Sequence, residues 1–336
     1  MKTIAIGALA LLLSAGAVQA QQAAPDAAET PKPFEAGRPL GVTARDGGAY
    51  TPMAGPVKVY GAVVSSESCV YDADRDLIVV LNRGANQDQA PNDGFVSLLN
   101  HDGSVHTAKW IGVNRNGGLV LNQPFGSAIA NGKLYVADSD GGTSEDDPRI
   151  SVIRMFDMAS GAPAGEVKVP DSEWFNDIAV AEDGTVYASQ TGGGRAEVPM
   201  RIYKVTADGT ASIFLEGAPL ASPNGVELDG DGNLVVVNIG DDSVLTFSLE
   251  GELLKTEHAA QAGSDGLVIM DDGTKYVSSV IQGGISKIAA DQPAELIATG
   301  IPSAASMCYD KGANQLVVPL NSNNGVAIVQ LDGSAE

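Results

Sequence analysis

Six short segments of the chain can be written under one another, and their first residues read Glu67, Gly126, Asn176, Asn224, Asp265 and Ala305. The segments are ESCVYDADRDLIVVLN, GSAIANGKLYVADS, NDIAVAEDGTVYASQ, NGVELDGDGNLVVVN, DGLVIMDDGTKYVSS and ASMCYDKGANQLVVPLN. Four of the six first positions carry a side-chain oxygen and two carry no bulk. Two carboxylates and two carboxamides, with neither His nor Cys, make a hard oxygen donor set. Such a set suits Ca²⁺, or another hard divalent ion, far better than zinc or copper. A carboxylate in it can also take a proton from water; Asp265 is the first choice for that role and Glu67 the second. Asn and Asp also open strands after turns for local reasons. That accounts for each residue singly, but less well for a polar column followed by apolar ones.

The elements that would position this column can be read from the same alignment. Each segment is a strand, a tight Gly- or Asp-containing turn and a second strand rich in Val and Tyr, recurring every 40–59 residues. That period fits four-stranded propeller blades better than a sandwich. Third and fourth strands follow: RIYKVT (201–206) and SIFLEG (212–217) in the third repeat, SVLTFSLEG (243–251) and ELLKTEH (252–258) in the fourth. The sixth repeat supplies three strands, the last being GVAIVQL (325–331), and PVKVYG (56–61) is expected to close the ring as its fourth. The fold expected is therefore all-β, a six-bladed β-propeller over residues 56–336 whose inner strands bring the first column to the central axis. No seventh repeat is present to support a larger ring.

Composition bounds the rest. The chain has 336 residues, 44% hydrophobic and 18% charged, and 42 acids against 20 bases give a net charge of −22. That balance excludes a disordered chain and a multi-span membrane protein, and no basic face is available for nucleic acid. Residues 1–20, MKTIAIGALALLLSAGAVQA, read as a secretory signal peptide, so the mature protein is expected in a periplasm or outside the cell, free of the membrane. Residues 21–55 are rich in Ala, Pro and Gly and read as a linker or arm.

The two cysteines fall at opposite parity on equivalent strands of blades that would be neighbours, Cys69 aligning with Met307 and Cys308 with Val70. Side chains so placed face either each other or away. Two buried free thiols are the expectation, and a disulfide across the ring closure is the alternative. The run Asp229-Gly230-Asp231-Gly232-Asn233 imitates the opening of a calcium loop, but Leu234 stands where the loop needs Gly, so it reads as a hairpin turn.

The motifs SESCVYD, FNDIAV, SPNGVEL and SDGLVI resemble the blade-opening motifs of the SMP-30/gluconolactonase/luciferin-regenerating-enzyme-like family, relatives of diisopropylfluorophosphatase and the paraoxonases. The resemblance runs from about residue 57 to 332. It implies a six-bladed propeller with calcium or another divalent ion held in the channel by Glu67, Asn176, Asn224 and Asp265. It also implies a hydrolase of lactones or related esters acting on a small molecule; a non-catalytic ligand- or protein-binding propeller with a structural ion is the alternative, and any protein partner is left open. Where sugar-lactonase members often carry Arg, two residues before the third-blade Asn, this chain has Trp174, which points to a less polar substrate. The paraoxonase His pair has no equivalent among His101, His106 and His258. Arg195 is the expected anion contact, and Trp174, Phe125 and Met307 the expected apolar walls.

Overall fold

A computed structural model describes residues 41–43, 50–52, 63–84, 92–112, 116, 118–142, 144, 146–192, 198–321 and 323–331. Two compact units are distinguished, 1–58 and 59–336. In the first, Gly41–Thr43 and Tyr50–Pro52 pair as a short antiparallel hairpin. The second holds five four-stranded antiparallel sheets and one three-stranded sheet, each built from strands consecutive in the sequence. These are the six blades. Their innermost strands are Ser66–Asp72, Ser127–Ala130, Ile178–Val180, Pro223–Leu228, Ser264–Ile269 and Cys308–Asp310. Each lies against the innermost strand of the next blade, and the sixth lies against the first, so the ring is closed. The sixth sheet has three strands among the described residues; the closing strand expected at 56–61 lies outside them, as do the expected leader at 1–20 and most of the expected linker at 21–55.

Blade packing explains why the second strands read as unbroken apolar runs. Leu77–Asn82 is buried along its whole length, with Leu77, Val79 and Leu81 packed toward blade 2 and Ile78 and Val80 toward blade 6. A strand sandwiched between two sheets cannot alternate apolar with polar, because both its faces are interior. The same arrangement recurs in blade 4, where Leu234 and Val236 join a cluster with blade 3 and Val235 and Val237 one with blade 5. Outermost strands such as Leu253–His258 are mostly exposed and their sequences correspondingly polar. Six apolar clusters result, one per seam between blades.

The seam between blades 6 and 1 corrects one expectation. Cys69 and Cys308 are joined as a disulfide, Cα–Cα 5.4 Å, and are not free thiols. Both belong to the apolar cluster shared by these two blades, so opposite parity here turns the side chains toward each other. A parallel bridge between Ser68 and Ser306, with Ser306 N donating to Glu67 O at 3.1 Å, sets the inner strands side by side. The run at Asp229 is a hairpin turn, as read: the Asp229 carboxylate accepts from the backbone of Asp231 and Asn233 and from Asn233 Nδ2.

Candidate functional site

The first column sits where the inner strands begin, and local irregularity aims it. In blades 1, 4 and 5 the inner strand loses register with its neighbour between Ser66 and Ser68, between Pro223 and Val226, and between Ser264 and Leu267. Glu67, Asn224 and Asp265 are therefore each carried on a bulge, which turns a side chain out of the regular pleat. The residues that follow are small because the inner strands approach backbone to backbone. A Cβ at Gly225 would lie 2.4 Å from Asp265 O, and one at Gly266 would lie 2.5 Å from Met307 N. Serines on the second strands tie adjacent blades at this level. Ser189 Oγ accepts from Asp177 N at 3.0 Å and donates to Asn224 O at 2.5 Å. Ser278 Oγ accepts from Gly266 N at 2.8 Å and donates to Ala305 O at 2.9 Å.

Glu67, Asn224 and Asp265 are 2–3% exposed and Asn176 is 9% exposed. The amide nitrogens are committed: Asn176 Nδ2 donates to Thr191 Oγ1 at 3.2 Å, and Asn224 Nδ2 to Asp265 Oδ2 at 3.4 Å. Glu67 Oε2, Asn224 Oδ1 and Asp265 Oδ1 are buried without a hydrogen-bond partner. The nearest opposite charge, Arg83 Nη1, is 3.8 Å from Glu67 Oε2, and Arg83 is itself held by Asn321 Oδ1 at 3.3 Å and by the ring of Phe125 at 4.3 Å.

A third acid belongs to this group and escaped the sequence reading. Asp177 is buried; its Oδ2 accepts from Val226 N of blade 4 at 3.0 Å. Its Oδ1 occupies the place a blade 2 side chain would take, since a Cβ at Gly126 would lie 2.1 Å from it. The empty position in the first column is thus filled from blade 3. The signal was in the second column, Ser68, Ser127, Asp177, Gly225, Gly266 and Ser306, where Asp177 is the lone acid among small residues.

Burial governs the protonation of all three acids. It raises Glu67 to about 7 against the opposing pull of Arg83, and raises Asp177 to about 7 against two backbone hydrogen bonds. Asp265 is raised well above the usual carboxylate range by burial, and further by the Glu67 and Asp177 carboxylates, with Arg83 and Asn224 offsetting part. Orphaned, desolvated oxygens on carboxylates and amides form the kind of donor set that a hard divalent cation satisfies. Among the described residues no three His, Cys, Asp or Glu side chains form a metal-holding group by themselves. The fit therefore depends on the two amides as well as the two carboxylates.

A cavity of about 680 Å³ opens beside Asn176 and Asn224. Trp174, Val198, Ile239 and Ile281 give it apolar walls, and Arg149 brings a cation to it. Trp174 is the one expected wall residue that lines it. Phe125 lies in the core beneath, its ring 4.8 Å from that of Trp174, and Met307 is buried in the apolar cluster between blades 5 and 6. Arg195 lies outside the described residues. His258 is exposed and paired with Asp242 at 3.0 Å, apart from the cavity, while His101 faces the seam between blades 1 and 6.

The architecture is shared with solved structures of low sequence identity. One, described as a candidate gluconolactonase, is 16% identical with a TM-score of 0.58, covering 80% of this chain and 89% of its own. A gluconolactonase of Xanthomonas campestris is 17% identical, TM-score 0.55, covering 81% and 88%. A protein of unknown function from Bacteroides thetaiotaomicron is 14% identical, TM-score 0.56, covering 79% and 70%. These likenesses establish the fold. A comparison with curated proteins finds no match. The family model described as SMP-30/Gluconolactonase/LRE-like region matches residues 47–319, and by that match over most of its length the chain belongs to this family.

Proposed function

We propose that the protein is a divalent-cation-dependent hydrolase of lactones or related esters, with Ca²⁺ the preferred ion. The observation that carries this is the convergence of three buried oxygens without hydrogen-bond partners, on Glu67, Asn224 and Asp265, beside a cavity reached by Asn176 and Asn224. Membership of the family supports a lactonase-type hydrolase at that level. Bound among these oxygens, the cation would polarise a lactone carbonyl and stabilise the charge that develops on it. Asn176 and Asn224 hold the ligand set from blades 3 and 4, with their amide nitrogens already committed to Thr191 and Asp265. Asp265 takes a proton from the attacking water, Glu67 being the second candidate. Water adds to the carbonyl carbon to form the new C–O bond, the ring C–O bond then breaks as the carbonyl re-forms, and the proton passes to the departing alkoxide to give a hydroxy acid. Export through residues 1–20 belongs to the same proposal, and the Cys69–Cys308 disulfide supports an oxidising destination.

A second reading, a binding propeller braced by a structural ion, draws on the burial of Glu67 and Asp265, neither of which lines the cavity. Hydrolysis of aliphatic lactones, sugar lactones and aryl esters, measured with Ca²⁺, with EDTA and in Asp265→Ala, separates the two. Activity lost both on chelation and in the variant is expected. No activity on any ester, with a melting temperature still raised by Ca²⁺, would leave the second reading.

A further inference from the structure

The cavity is off-axis and has an uneven chemistry. It is walled by residues of blades 2 to 5, with Arg149 from the loop after the second strand of blade 2, Trp174 on one side, and Ile239 and Ile281 contributed by the loops that follow the second strands of blades 4 and 5. Trp174 is backed by Phe125, which in turn lies under Arg83, so this wall is held in place from below. Ile281 is 70% exposed at the rim, an apolar side chain kept in water beside a cavity that could cover it.

Of the polar side chains that reach the same cavity, Gln190, Thr191 and Ser222 are turned to the protein, while Arg149 and Glu173 also line it and Asn224 Oδ1 and Trp174 Nε1 are buried without a partner. Gln190 Oε1 accepts from Ser172 Oγ at 2.8 Å and from Glu173 N at 3.1 Å, and its Nε2 donates to Pro199 O at 2.9 Å. Thr191 Oγ1 accepts from Asn176 Nδ2, and Ser222 faces Met200 Sδ. A sugar lactone entering here would bring several hydroxyl groups to a cavity in which Gln190 and the amide nitrogen of Asn176 are already engaged, leaving Arg149, Glu173, Asn224 Oδ1 and the Trp174 N–H to meet them along otherwise apolar walls. Each hydroxyl buried without a partner costs roughly tenfold in affinity. An alkyl or acyl chain would meet Trp174, Val198, Ile239 and Ile281 and lose nothing by leaving water.

We infer, building on the hydrolytic reading above, that the substrates are lactones bearing a flexible apolar substituent, with the ring over Asn176 and Asn224 and the chain along the wall of blades 3–5. Sugar lactones are poor substrates of this site.

Two measurements on the full chain test this together. Binding of unreactive 2-alkylcyclopentanones, from methyl to heptyl, is followed by calorimetry, and kcat/KM is taken for γ-lactones with the same side chains and for glucono-δ-lactone. Affinity and kcat/KM are expected to rise about threefold per methylene. Glucono-δ-lactone is expected at least about a hundredfold below the heptyl lactone, two unpaired hydroxyls alone accounting for that. Ile281→Asp, at an exposed position that the fold does not depend on, should flatten the slope for the longer chains. A flat ketone series, or glucono-δ-lactone as good as the alkyl lactones, would overturn the inference while leaving the hydrolase intact. A rising ketone series with no hydrolysis of any lactone would uphold the apolar-chain site and remove the hydrolytic reading.

Discussion

Asn224 Nδ2 lies 3.4 Å from Asp265 Oδ2, linking two bulged positions on neighbouring blades. The contact determines which atom of each residue is left over: Asn224 Oδ1 and Asp265 Oδ1 are the two that remain without a partner. Replacing Asp265 by Asn therefore has two effects of opposite sign. It removes a buried, poorly compensated charge, so without a cation the variant should melt roughly 3–6 °C above the native protein at pH 8. It also removes a carboxylate ligand, so the rise in melting temperature on adding Ca²⁺ should shrink to under half. Parallel calorimetric scans with Ca²⁺ and with EDTA check both, and a variant that responds to Ca²⁺ as the native protein does would exclude Asp265 from the cation site.

Gly126→Ala tests the placement of Asp177. The added methyl would sit 2.1 Å from Asp177 Oδ1 and 2.5 Å from Asp177 Cα, so the start of blade 3 has to move. A loss of about 2–3 kcal/mol in stability is expected, together with a tenfold or greater loss in Ca²⁺ affinity because Asn176 is the adjoining residue. Denaturant unfolding and a Ca²⁺ titration measure the two. Native affinity in a destabilised variant would separate Asp177 from the site.

Reduction of Cys69–Cys308 should cost much of the stability of the ring. The bond closes a loop of sequence separation 239, for which chain entropy gives about 5 kcal/mol as an upper figure, or about 10 °C in melting temperature. Cys69→Ser with Cys308→Ser should reproduce the loss without reductant. Unchanged melting under tris(carboxyethyl)phosphine, with the thiols shown free by labelling, would contradict it.

His101 provides the pH dependence. Its Nδ1 is 2.8 Å from Asp310 Oδ1 in blade 6, and its Nε2 is 3.3 Å from Asp76 Oδ2. The hydrogen bond to Asp310 raises its pKa; burial opposes this, and the hydrogen bond to Asp76 and the charges of both carboxylates add to the rise, which prevails. A raised pKa in the folded state means that the contribution to stability is complete below about pH 6.5 and fades as pH rises through the folded value. His101→Gln should melt about 2 °C lower than the native protein at pH 6 and nearly level with it at pH 9. A difference that grows with pH would show that the pair contributes through packing instead.

Much of this was legible because a propeller repeats itself. Aligning six segments put Glu67, Asn176, Asn224 and Asp265 in one column, and the ring then brings Asn224 against Asp265 and Glu67 within electrostatic reach of both Asp265 and Asp177. The bulges that aim Glu67, Asn224 and Asp265 left no mark, because they depend on pairing with the second strand and not on residue type. Asp177 was missed because its role lies in the gap left by Gly126 on another blade. The disulfide was misjudged because parity fixes that Cys69 and Cys308 face together or apart, and the handedness of the ring decides which. Phe125 and Met307 are apolar residues next to the column, and nothing in their sequence separates a cavity wall from the core beneath it. Gln190 reads as one more polar residue after a strand, and only its three hydrogen bonds show that it is unavailable to a ligand.

The bond between Cys69 and Cys308 also changes the topology of the chain. It converts the propeller into a covalent macrocycle, with the first and last inner strands as its two joined ends. Blades 1 to 5 then have no free end to peel away, while the second and third strands of blade 6 lie beyond Cys308, so unfolding of the looped blades must begin by rupturing a seam in the interior of the chain. A single proteolytic cut in any connection between blades would likewise leave one covalently continuous molecule, which could be reopened at that cut without releasing a fragment.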